Sequence, residues 1–396
     1  MPKKTIEGID VESKRVLLRV DFNVPLNRDT GAISDDSRIR ASLPTIKYLV
    51  DHRAKTIVCS HLGRPKGKVV EDLRMLPIAQ RLSQFLGLPV GTASDCVGTE
   101  AESKAGALKE GEVLVLENLR FHPEEEENDD GFARKLASLA DIYVNDAFGT
   151  AHRAHASTVG VAKYLPAVAG FLMDRELRAM EKLLHDPERP WGCIVGGAKV
   201  SDKIGLLQNM LKKVDTLLVG GGMAATFLKA QGYEVGRSLV EDDKLDLARK
   251  LLQEARDLKV PFLLPVDVLV AGEIKAGASA RVVPTTDIPV SSHIVDIGPR
   301  SIKLFQDELA KCRTVMWNGP VGIYEVSEFA HGTQAIASFL STLGATTVIG
   351  GGSSAEVVQE MGLADKMTHV STGARASPRF LEAATLPGVK VLLDTK

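Results

Sequence analysis

Between Gly170 and Pro187 the apolar residues Met173, Leu177, Met180 and Leu184 recur at i, i+4, i+7 and i+11. That spacing predicts a helix with one buried stripe. Gly170 opens the stretch and Asp186-Pro187 stops it, since proline removes a donor and disfavours helix in the residue before it. On both sides the pattern changes to short branched apolar runs alternating with helical stretches. In the first half the predicted strands are 15–20, 55–60, 113–117 and 141–146; in the second they begin near Gly192, Leu217, Val315 and Thr347. Strands alternating with helices predict parallel sheets joined by right-handed crossovers. A chain of 396 residues exceeds the size at which one core usually stops growing. The pattern therefore predicts two lobes, 1–169 and 188–379, with the helix 170–187 as the rod between them.

The strand exits of the first half carry polar groups. The first delivers Asp21-Phe-Asn23 before a proline, and Asp35-Asp-Ser37 then caps a helix whose first turn holds Arg38. The second delivers His61-Leu-Gly-Arg64, the third Asn118-Leu-Arg120, and the fourth leads to His152, Arg153 and His155. In a parallel sheet these exits share one edge, where ligands of open α/β sheets bind. Arginine suits that edge because its planar fork engages phosphate or carboxylate bidentately. A small molecule with several negative oxygens accounts for the set. The acidic run Glu124–Glu127, followed by Asp129-Asp130, reads as a solvated loop before a helix.

The second half is punctuated by glycine. Gly196-Gly-Ala-Lys199 follows one strand, with Lys199 and Lys203 predicted one turn apart on a helix; Gly220-Gly-Gly222 and Gly350-Gly-Gly-Ser-Ser354 follow two others. Glycines let backbone N–H groups approach a phosphate, and the next helix N-terminus favours negative charge. No Gly-x-x-x-x-Gly-Lys-Ser/Thr loop occurs. Gly220–Ala225 imitates a dinucleotide fingerprint, with Glu241 about twenty residues on. Glu241, however, falls at a helix start rather than at a second strand's end.

Composition narrows the class. Hydrophobic content of 44% and charged content of 25% are those of an ordinary globular protein, and a net charge of −2 argues against a general nucleic-acid binder. Four dispersed cysteines without a CxxC point away from a disulfide framework or a metal centre and fit a reduced cytoplasm. The N-terminus lacks the apolar stretch of a secretory signal, and no run is long enough to span a bilayer.

Taken in order, Arg19–Pro25, Ser60–Pro65, Leu116–Phe121, Tyr143–Gly149, Gly196–Val200, Trp317–Gly322 and Gly362–Lys366 closely resemble the signatures of the phosphoglycerate kinase family along essentially the whole chain. The resemblance implies two Rossmann-like three-layer α/β lobes, each with a mainly parallel central sheet, joined by a hinge helix. It also implies a tail, about 380–396, that packs back on the first lobe. It implies 3-phosphoglycerate or 1,3-bisphosphoglycerate at Asp21, Phe22, Asn23, Arg38, His61, Leu62, Gly63, Arg64, Arg120 and Arg153. ADP or ATP, carrying Mg2+, is implied at Lys203, Gly298, Asn318, Gly322, Glu325, Gly350, Gly351, Gly352, Ser353 and Ser354. Arg38, Lys199 and Lys203 match the residues acting on the transferred phosphoryl group. No nucleic acid or membrane partner is implied, and the state implied is a monomer.

The chain departs from the family pattern at two places. Ser353 stands where the family has a magnesium-ligating aspartate, and Ala374-Arg375 replace two glycines. A side chain there costs energy if the turn needs positive φ. These departures motivate a second reading, a catalytically weakened or inactive relative acting as a binding protein.

Overall fold

The computed structural model describes residues 2–27, 29–382 and 385–395. It divides into two units, Met1–Arg178 with Thr385–Lys396, and Ala179–Ala384. Each is built on a six-stranded parallel sheet.

In the first unit the strands are β1 (Arg15–Arg19), β2 (Lys55–Cys59), β3 (Val90–Thr92), β4 (Val113–Val115), β5 (Ile142–Asn145) and β6 (Ala167–Ala169), in the order β3-β4-β2-β1-β5-β6. Every neighbouring pair is parallel, with Leu17 of β1 opposite both Ile57 and Tyr143. Strands buried on both faces read as continuous apolar runs, which is why β1 and β2 show no alternation. The order reverses between β1 and β5, so the carboxyl ends of β1, β2, β4 and β5 surround the switch point. A core containing Val16, Leu18, Ile46, Val58 and Val144 holds the sheet against its helices. Residues of the tail are tied to this unit through Gly388 N to Ala151 O (2.8 Å) and Leu393 N to Ala167 O (2.9 Å).

The second unit contains β7 (Trp191–Val195), β8 (Thr216–Val219), β9 (Phe262–Leu263), β10 (Asp267–Ala271), β11 (Ala280–Pro284), β12 (His293–Ile297), β13 (Thr314–Asn318), β14 (Thr346–Gly350) and β15 (His369–Val370). Its main sheet runs β15-β14-β13-β7-β8-β9, with the switch between β7 and β13. The remaining three strands form an antiparallel sheet, β11-β10-β12, that the apolar pattern did not predict. The outer β11 has three of its five residues exposed or half-exposed in a run, so its hydrophobic signal is weak.

The helix predicted for 170–187 spans Phe171–His185. Its start is set by Asp146 at the end of β5, whose Oδ1 accepts from the backbone of Leu172 (2.9 Å) and Met173 (3.3 Å). Met173, Leu177 and Met180 are buried as the stripe predicts; at its far end Leu183 is the buried residue and Leu184 only half-buried.

Candidate active site

In the first unit the polar strand exits are laced together. Asn23 Oδ1 accepts from Gly63 N (2.8 Å), joining the exit of β1 to that of β2. Asn118, leaving β4, accepts from Leu62 N (3.2 Å) and donates to Leu62 O (2.8 Å). Arg38, in the first turn of the helix Ser37–Asp51, donates to Asp21 Oδ2 at 2.6 Å. Arg120 is buried and donates to Gly63 O (2.9 Å); its Nε makes no hydrogen bond, a Glu126 oxygen standing 3.4 Å away. Arg153 lies 3.7 Å from the same oxygen, and Arg64 is exposed. His61 Nε2 is 4.0 Å from Asp21 Oδ1. Burial, then the charges of Arg19, Arg120, Arg38 and Arg153, hold the His61 imidazole well below its usual pKa, so it is neutral.

Three arginines and an uncharged histidine thus converge on an edge whose acidic members are Asp21 and Glu126. Burial, with the charges of Arg153 and Arg19, pulls the Arg120 guanidinium downward against the pull of Glu126 and Glu125, and an anion placed beside it would relieve this. Phe22 and Leu62 belong to the core, and their backbone groups are already bonded to Ser60, Val24 and Asn118, so neither presents a free group to a ligand. The acidic run is not a solvated loop. Pro123–Glu127 is a helical turn, and Glu125 is fully buried, accepting from Ser157 N (2.9 Å) and Ser157 Oγ (2.6 Å). A run of like charges reads as solvated because its partner, Ser157, lies far along the chain.

In the second unit the glycine exits interlock. Gly197 N donates to Pro320 O (2.9 Å), Gly221 N to Val321 O (2.9 Å) and Met223 N to Gly197 O (3.0 Å). A side chain at Gly196 would land on the Pro320 carbonyl, and one at Gly221, at φ +70°, would press on the Gly197 backbone. Lys203 threads between the loops, donating to Gly196 O (2.6 Å) and Asn318 O (2.8 Å), and burial lowers its amine to about 8. Lys199 is exposed, and the helix begins only at Ile204 after a 3-10 turn at Ser201–Lys203. The predicted one-turn pairing of the two lysines on a helix therefore does not form.

Beside these loops lies a pocket of about 280 Å³ walled by Leu239, Ile274, Ile294 and Val321, with Gly221 and Gly322 on its polar side and Glu325 at its rim. Of these walls, Ile294 and Ile274 come from the antiparallel sheet and its β10–β11 connection and Leu239 from the loop after the helix Gly222–Ala230, none of which the motifs marked, whereas Val321 belongs to the marked exit of β13. Asp296 also lines it, buried, accepting from Gly332 N (2.7 Å) and Ile297 N (2.8 Å); burial raises its carboxyl to about 7. Gly350, Gly351 and Gly352 are outside the pocket, leading from β14 into the helix Gly352–Glu360. Ser354 Oγ ties them to the β13 exit through Gly319 N (2.7 Å), and Asn318 Nδ2, facing them, is buried without an acceptor. Gly298 is elsewhere: it caps the helix Pro299–Leu309, and the Asp267 carboxylate fills the space a side chain would need.

The departures are accommodated without strain. Arg375 has φ −106°, and neither it nor Ala374 is among the positive-φ residues. The turn does not demand glycine, so the steric ground for the inactive reading is gone. Glu241 accepts from Ser201 N (3.0 Å) at a helix start, which removes the dinucleotide reading too. Asp95, Cys96 and His122 cluster in the first unit, but His122 Nε2 and Asp95 Oδ1 are 2.7 Å apart as a hydrogen-bonded pair, closer than two tetrahedral ligands of one zinc ion stand. Among the described residues no helix is long and apolar enough to cross a membrane.

An arginine-lined edge on one parallel α/β unit and an apolar pocket beside glycine-rich loops on another fit a two-unit α/β phosphotransferase. The family description "Phosphoglycerate kinase" matches residues 6–384. The phosphoglycerate kinases of Pelotomaculum thermopropionicum and Moorella thermoacetica are 58% and 56% identical, each over the full length of both chains. The phosphoglycerate kinase structures from Coxiella burnetii (39% identity, TM-score 0.87) and Pyrococcus horikoshii (33%, 0.86) each cover 98% of both chains. The chain belongs to the phosphoglycerate kinase family, enzymes that transfer phosphoryl groups to and from a carboxyl group.

Proposed function

We propose that the protein transfers a phosphoryl group reversibly between the acyl phosphate of 1,3-bisphosphoglycerate and ADP, giving 3-phosphoglycerate and ATP. The observation that carries this is the division of labour. A buried arginine with an unmet donor, Arg120, marks the anion site of one unit, and the apolar pocket that suits a purine belongs to the other. Arg38, Arg64, Arg120 and Arg153, with Asp21, Asn23 and His61, hold the three-carbon acid. The nucleotide's base occupies the pocket with Glu325 at the ribose, and its phosphates run toward Asn318 and Gly350–Ser354.

In the direction of ATP synthesis, an ionised β-phosphate oxygen of ADP forms the new bond to phosphorus. The bond from phosphorus to the acyl oxygen breaks, and the electron pair leaves on the carboxylate. No proton moves, so no general base is required. Catalysis is positioning and charge stabilisation, with Arg38 from one unit and Lys203 from the other flanking the group in transfer. Because donor and acceptor are held on different units, transfer requires the units to approach, which also excludes water as a competing acceptor.

The oxygen donors near the phosphate loop fit a hard cation. Ser353 stands beside the Tyr324 hydroxyl, which donates to Glu356 at 2.9 Å. Ser353 and Glu356, a neutral and a charged oxygen one helical turn apart, would hold Mg2+ arriving with the nucleotide, in place of a carboxylate at 353. When bound, the ion neutralises charge on the phosphate oxygens. Each chain carries both sites, which is consistent with a monomer, and four free, buried cysteines are consistent with the cytoplasm. A coupled assay for ATP made from 1,3-bisphosphoglycerate and ADP tests the proposal. Turnover that disappears in both Arg38→Ala and Lys203→Met supports it, and its absence from the unmodified protein refutes it.

A further inference from the structure

Arg19, at the end of β1, is 1% exposed. A buried guanidinium is costly unless its donors are met, so where they go is informative. Nη1 donates to the Val20 carbonyl, Nε to Ser157 Oγ at 2.8 Å, and Nη2 lies 3.2 Å from His61 Nδ1. Ser157 passes the interaction on. Its hydroxyl and backbone N–H both donate to Glu125, and its carbonyl is held by the Tyr143 hydroxyl at 2.8 Å. Glu125 thereby supplies the opposite charge behind Arg19, and His155 Nδ1, 3.8 Å from it, is kept neutral by burial and the nearby arginines. Of these groups only His61 is given a part in the reaction proposed above.

The chemistry of the contact settles the ring. A guanidinium has five donors and no acceptor, so His61 Nδ1 must accept. We propose that Arg19 is a positioning residue: anchored through Ser157 to Glu125, it holds His61 as the Nε2–H tautomer, so that the ring presents one uncharged, directional hydrogen-bond donor at the substrate edge. That donor is unspent in the ligand-free protein, since Asp21 Oδ1, at 4.0 Å from Nε2, is beyond hydrogen-bonding range. The arginines of the site supply charge; His61 supplies direction, and an uncharged donor tells an oxygen placed along its N–H from one placed elsewhere.

The role at the substrate edge rests on the reading that 3-phosphoglycerate occupies this site, whereas the tautomer does not. The test therefore has a ligand-free arm. Nitrogen-15 spectra of the full-length protein with labelled histidine are expected to show His61 protonated at Nε2 and bare at Nδ1. In Arg19→Met or Ser157→Ala the Nδ1–H form should become populated. In the ligand arm, glutamine places its amide N–H near the position of Nε2 and asparagine near that of Nδ1. His61→Gln should then keep 3-phosphoglycerate affinity within a few-fold, while His61→Asn loses about tenfold or more, the worth of one well-aligned hydrogen bond. ADP affinity should not change in either. A wild-type ring protonated at Nδ1 overturns the proposal, as does a ring spectrum unchanged by both network variants, or equal losses in the two His61 variants. Should Arg19→Met fail to fold, the wild-type spectrum and Ser157→Ala still decide. Absence of 3-phosphoglycerate binding to the unmodified protein would overturn the substrate reading, and with it the role at the edge, whatever the ring spectrum shows.

Discussion

Replacing Asp296 by asparagine should change how the stability of the protein depends on pH. Asp296 is buried in the wall of the pocket proposed for the nucleotide, where its carboxylate accepts from two backbone N–H groups, and burial lifts its carboxyl from 3.8 to about 7. A group with a raised folded pKa is protonated in the folded protein while already ionised in the unfolded chain. Between those two values the folded state binds more protons, so the stability it contributes is fully present below pH 4 and is lost as pH rises through 7. A three-unit rise corresponds to about 4 kcal/mol across that window. Asparagine is a neutral isostere whose oxygen still accepts from Gly332, so Asp296→Asn should lack this term while keeping the pocket wall in place. Urea denaturation of both proteins from pH 4 to pH 8 isolates it, because every other titrating group is common to the two. The wild type should lose about 4 kcal/mol relative to the variant over that range. A difference that stays flat with pH, or that moves in favour of the wild type, would refute the reasoning.

On the role proposed for Arg38, Arg38→Ala should lower kcat about 10²–10³-fold, as for loss of one oxyanion donor, with ADP affinity unchanged; a rise in KM alone would assign Arg38 to ground-state binding. Gly196→Ala should abolish ADP-dependent thermal stabilisation, since its methyl would occupy the Pro320 carbonyl, while 3-phosphoglycerate still protects the first unit; retained ADP protection would contradict the interlocked loops. Ser353→Asp should lower the magnesium concentration needed for half-maximal turnover and Glu356→Gln should raise it, measured by titrating Mg2+ at fixed nucleotide; no change in either would place the ion elsewhere.

Much of this was legible along the chain, and the reason differs from element to element. β1, β2, β5 and β7 are central parallel strands, so each appears as an uninterrupted apolar run that ends where its polar exit begins. The stop at Asp186-Pro187 is local chemistry. The antiparallel sheet was hidden because β11 and the start of β12 are exposed or half-exposed and break the apolar run, and with it went Ile274 and Ile294 of the pocket wall. Lys203 and Lys199 look equivalent in sequence, yet one is half-buried with its amine bonded to two carbonyls and the other is exposed. Glu125 was misjudged and Arg19 passed over for the opposite reason: their partners, Ser157 and His61, are contributed by distant segments that only the fold brings together. A buried ionic network leaves almost no periodic trace.

The central claim is that one chain holds the acid and the nucleotide at separate sites. Isothermal titration of 3-phosphoglycerate into protein already saturated with Mg-ADP tests it most directly. One equivalent should still bind, with the heat abolished by Arg120→Ala while that variant continues to bind ADP. If saturating nucleotide eliminates 3-phosphoglycerate binding altogether, or if Arg120→Ala abolishes both, the two ligands share a single site and the account is wrong.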